Sequence, residues 1–130
     1  MKELLVSLDV TSPSLTLGEI SAKLGRSPSY ESSHDKGEPR FGRERFDHAI
    51  WRLNSTAQKT EPLEEHLATI AAQFPPEALP ASATLTDCTI WINVGLLFDT
   101  PSSSVLVTRR ALDIIHRYGA VLEVTCYPST

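Results

Sequence analysis

Four cationic side chains, Lys36, Arg40, Arg43 and Arg45, crowd one short stretch and alternate with Gly37, Pro39 and Gly42. A guanidinium offers a planar fork that fits a carboxylate or phosphate, and glycines let backbone amides approach an anion. The stretch is therefore a candidate binding site for an anionic group or an acidic partner. The competing reading is a solvated turn whose charges are balanced by Asp35, Glu38 and Glu44, a composition ordinary for exposed loops. Trp91 is the remaining candidate binding residue. It alternates with Ile90 and Ile92, so it either packs beneath a helix or stands exposed as an anchor for a partner.

The other reactive side chains lack the company that chemistry requires. His34 sits beside Asp35, His48 beside Asp47, and His66 follows Glu64 and Glu65, yet none forms HExxH or another helical ligand pair. Zinc needs three or four converging ligands, so no metal site is expected. Cys88 and Cys126 have no local motif, and strand parity puts both on apolar faces, where a thiol behaves as a small hydrophobe. Ser102, Ser103 and Ser104 lie in a loop without a GxSxG elbow. Glu64 and Glu65 are neighbours on a helix and so point about 100° apart, which suits the helix dipole better than acid–base work. No catalytic residue and no cofactor is assigned, and the balance is against an enzyme.

Positioning these residues falls to a chain of 130 residues, long enough for one hydrophobic core. One α+β domain over residues 1–130 is expected. A hydrophobic share of 41% and a charged share of 22% are those of a globular protein. The net charge of −4 opposes general nucleic-acid binding. No run of residues is long and apolar enough for a membrane span, and the first residues do not read as a secretory signal. Two cysteines are too few for a disulfide scaffold, so a reduced, cytoplasmic setting is expected.

Leu4, Val6, Leu8 and Val10 alternate as in a half-buried strand. Thr16 stands three residues before Glu19, a capping-box spacing. Leu17, Ile20 and Leu24 then make a helical stripe that Gly25 closes. Residues 26–45 are polar, and residues 29–33 are expected to form a short edge strand after Pro28, followed by a turn through residues 34–40. Residues 46–54 read as a strand with Ala49, Trp51 and Leu53 on one face. A second helix, capped at Thr60, carries Leu63, Leu67, Ile70 and Phe74. Residues 77–86 read as a linker. Cys88, Ile90, Ile92 and Val94 start another strand. A third helix over residues 108–118 is expected to bury Leu112 and Ile115, and a last strand follows over 120–127. The order matches a ferredoxin-like βαββαβ core with an added helix and strand, a mainly antiparallel sheet covered by helices.

Taken in order, residues 13–25, the Lys36-Gly37-Glu38-Pro39-Arg40 turn, residues 51–55, residues 63–67 and residues 112–127 resemble the bacterial domain-of-unknown-function family number 4279. The resemblance spans nearly the whole chain and implies a small cytoplasmic protein with no catalytic or ligand residues to carry over. The apolar stretch over residues 91–98 departs from a more polar family pattern. The leading expectation is a non-enzymatic protein-binding module of immunity or regulatory type. The alternative is a small-ligand or enzyme domain that holds an anionic group at the arginine-rich loop. A homodimer joined at an edge strand or sheet face is a third possibility.

Overall fold

A computed structural model describes residues 2–40, 44–100 and 103–128. Apolar alternation becomes four strands: β1 (Lys2–Ser12), β2 (Ala49–Asn54), β3 (Thr89–Phe98) and β4 (Val121–Pro128). Helical stripes become α1 (Leu17–Leu24), α2 (Leu63–Gln73) and α3 (Arg109–Tyr118). The strands form one sheet in the order β2-β1-β3-β4. β1 runs antiparallel to both neighbours, with Leu8 opposite Leu53 on one side and Ile92 on the other. β4 lies parallel to β3, because α3 supplies the crossover that parallel neighbours need.

All three helices shield one face. Leu4, Val6, Leu8 and Val10 of β1 point into it, beside Trp51, Leu53, Ile92 and Val94. Ile20, Leu67, Ile70 and Ile115 close over them from the helices. Trp51 is fully buried and its indole N–H still donates to the Arg26 carbonyl at 3.1 Å, as a buried tryptophan requires. The first helix begins with the expected capping box between Thr16 and Glu19, and it ends at Gly25 with φ +68°. Thr108 caps α3 through the Ala111 amide, and Gly119 ends it at φ +64°. Both glycines occupy the left-handed region that other residues resist.

Several expectations need correction. Residues 29–33 form no strand: Tyr30–Ser32 is a 3-10 turn, and only His34 makes a bridge, to Ile50. The ferredoxin-like plan calls for a full strand there. The cause lies in the serines, whose hydroxyls bond to β2 in place of a backbone ladder (detailed below). Thr60 is not the cap of α2, which starts after Pro62. Glu61 precedes a proline and is disfavoured from helical geometry. In α3 the buried stripe is Ala111, Ile114, Ile115 and Tyr118, while Leu112 is 53% exposed. One step along a helix turns the side chain by about 100°, and Ala111 takes the inward place. The linker over 77–86 contains two 3-10 turns, Pro76–Ala78 and Ser82–Leu85.

Candidate functional site

The face of the sheet opposite the helices has a polar centre, bordered by Leu5, Trp91 and Tyr127. Asp9 sits on it between Leu8 and Val10, only 3% exposed. Arg52, directly across on β2, grips it with a bidentate fork: Nε and Nη2 donate to the two carboxylate oxygens at 2.9 and 2.8 Å. Ser7 Oγ donates to Oδ1 at 2.8 Å and Asn93 Nδ2 to Oδ2 at 3.3 Å. A buried charge is tolerable only when its lone pairs are filled in this way. Burial works against the Arg52 charge, but the hydrogen bonds and attraction of Asp9 outweigh it, holding the guanidinium above its ordinary pKa.

A frame of serines fixes Arg52 from the outside. Ser33 Oγ accepts the Arg52 amide at 3.0 Å, and Ser29 Oγ accepts the Asn54 amide at 3.2 Å. Asn54 Nδ2 donates to Ser32 Oγ at 2.8 Å, while the Ser29 amide donates to the Arg52 carbonyl at 2.7 Å. Hydroxyls thus satisfy backbone groups that a neighbouring strand would otherwise have met.

Beside this cluster opens a cleft of about 440 Å³, lined by Ser7, Arg52, Asn54, Asn93 and Tyr127, with exposed Lys59 contributing to its wall. Gly95 lies on the floor. A Cβ placed there would lie 3.4 Å from Tyr127 Cε2 and 3.5 Å from Leu5 Cβ, in van der Waals contact with both. Trp91 is on the same open face, half-buried, its indole donating to Thr11 Oγ1 at 3.0 Å. It therefore does not pack under a helix.

The buried His66 also borders the cleft. Its Nδ1 meets Ser55 Oγ at 2.7 Å. Ser55 Oγ in turn accepts the Ala57 amide and contacts Thr69 Oγ1, both at 3.1 Å. Burial pushes the imidazole pKa down, against the pull of the Glu61 and Lys59 carbonyls and the Glu61 charge. A neutral imidazole and a serine already engaged on several sides read as a clamp that ties the loop after β2 to α2. His66 Nε2 is buried without a hydrogen-bond partner among the described residues.

The basic loop is elsewhere, and its described cations are exposed. Lys36 Nζ donates to the Pro13 carbonyl at 3.1 Å, and Arg45 Nη1 to the Gly37 carbonyl at 2.8 Å. Arg40 lies 4.8 Å from the centre of the Phe46 ring, which His34 stacks against at 4.3 Å. Arg43 lies outside the described residues. His48 is paired with Asp47 at 2.9 Å, which holds that carboxyl below its usual range. Lys36, Arg40, Arg45, His34 and His48 do not line the cleft, and among the described residues no three His, Cys, Asp or Glu side chains could hold a metal. Cys88 is half-buried, and burial raises its pKa, while Cys126 is exposed. The expected burial of Cys126 fails because, among the described residues, no helix packs against that end of β4.

Sequence reasoning passed over Asp9, Arg52 and Asn93. The signal was there: each is a polar residue on the alternate face of a strand whose other face is strongly apolar.

Together these features define an α+β domain with one helix-covered sheet face and one open face with a polar centre. The family described as Domain of unknown function (DUF4279) matches residues 2–129, and the chain belongs to it. Comparison with curated proteins and with solved structures gave no match.

Proposed function

We propose that the chain is a non-enzymatic protein-binding module and that the open sheet face is its recognition surface. The observation that carries this is the fully bonded Asp9–Arg52–Asn93 cluster at the wall of an open cleft. Groups held rigid before binding lose little freedom when a partner arrives. Trp91 and Tyr127 flank the cluster, and aromatic side chains of this kind supply most of the energy of protein interfaces. Asn93, Asn54 and Lys59 line the cleft, and donors of these types suit a partner loop presenting backbone carbonyl or carboxylate oxygens. An immunity-type or regulatory role in a bacterial cytoplasm fits a small acidic domain with unpaired cysteines. We read the sheet as a ferredoxin-like plan whose outermost strand has shrunk to the serine-framed turn and bridge before β2.

The basic loop is the weaker reading as an anion site, because Lys36 and Arg45 already donate to carbonyls of the protein itself. The two surfaces are separated by placing a photo-crosslinking residue at Tyr127 or at Arg40 and identifying what each captures in cells. Binding of the captured protein is then measured by calorimetry. Tyr127→Ala and Lys59→Glu are expected to weaken it at least about tenfold, with Arg40→Ala and Arg45→Ala near neutral. A specific partner captured only from position 40, and lost with Arg40→Ala, overturns the assignment.

A further inference from the structure

The two edges of the sheet are finished differently. Beyond β2, the segment around Ser29 to His34 meets the outward backbone groups of Ile50, Arg52 and Asn54. Beyond β4 nothing does: among the described residues no backbone hydrogen bond joins β4 to anything but β3. Val121, Val124 and Tyr127 are 48%, 43% and 52% exposed along it. The strand is regular over Val121–Pro128, carries Glu123 as its single charge, and has no proline before its last position. Natural proteins seldom leave such an edge without a partner.

We infer that β4 pairs antiparallel with β4 of a second copy of this chain, about a two-fold axis through Val124 and perpendicular to the sheet. The residues themselves select that occupant and register. With Val124 on the axis, Leu122 faces Cys126 and Val124 faces its own mate on the helix side. On the open side Val121 faces Tyr127 and Glu123 faces Thr125. Every pair is apolar with apolar or charge with hydroxyl, and each sits on the correct face. A slip by one residue puts opposite faces together. Moving the axis to Glu123 brings two carboxylates into contact. Moving it to Thr125 places Leu122 against Pro128, which has no amide hydrogen to give.

The test is sedimentation velocity on the full chain over a wide dilution series, with circular dichroism to verify folding. The wild-type chain is expected to be a concentration-dependent dimer. Thr125→Glu sets a new carboxylate against Glu123 of the other copy at two symmetric places and is expected to weaken dimerisation about tenfold. Thr125→Lys makes two attractive pairs instead and is expected to tighten it, an opposite sign that general damage to the strand would not produce. A chain that is monomeric at every concentration overturns the inference, as when the edge serves a different protein. A dimer indifferent to both substitutions overturns it too.

Discussion

β1 and β4 carry similar alternation in sequence and end in opposite surroundings. β1 has a strand on each side, helices on one face and the Asp9 cluster on the other, and most of its residues are buried. β4 has one neighbour, and six of its eight residues are exposed. The contrast teaches that a two-residue period fixes which side chains share a face but says nothing of what covers that face. Coverage comes from the order of strands, which only the assembled sheet decides.

Substitutions in the two strands should separate cleanly. Leu8→Ala removes a fully buried side chain between two strands and is expected to cost about 2–5 kcal/mol in urea unfolding. A value near zero would break the contrast. Asp9→Ala strands the guanidinium of Arg52. Breaking a buried pair costs about 3–5 kcal/mol, and because the Arg52 side chain is 26% exposed we expect about 2–3 kcal/mol. Asp9→Leu with Arg52→Met should recover much of that loss while still abolishing binding at the cleft, which calorimetry with the captured partner would show.

His66 gives a smaller, pH-dependent effect. Its folded pKa is depressed, so below the unfolded value of 6.5 the unfolded chain binds a proton that the folded one refuses. Stability is therefore full above that pH and declines as pH falls, by at most about 1.4 kcal/mol per pH unit. His66→Gln should flatten this limb of the unfolding midpoint against pH. An unchanged slope would assign it to other groups. At the low end, Val124→Ala should alter monomer stability by no more than about 0.5 kcal/mol, the counterpart in β4 of the large loss at Leu8.

Much of the architecture was legible because its signals are local. The Thr16–Glu19 box, the glycines after α1 and α3, and the inward faces of β1 and β2 all follow from spacing within a few residues. The turn at residues 29–33 was not, because a serine hydroxyl that stands in for a strand's amide or carbonyl leaves no periodic trace. Likewise the site depends on Asp9, Arg52 and Asn93, which are far apart in sequence and adjacent only through the β2-β1-β3 order. The arginine-rich loop stands out by density of charge, yet those groups that are described already contact backbone carbonyls and a ring of the protein itself.

The long ladder between β1 and β3 has a bearing on how the protein is made. Lys2 pairs with Phe98, and Thr11 with Thr89, so β1 leaves the ribosome well before β3 emerges to pair with it. Contacts this distant in sequence close slowly. During that wait the apolar side of β1, with Leu4, Val6, Leu8 and Val10, lacks the β3 residues that later pack beside it.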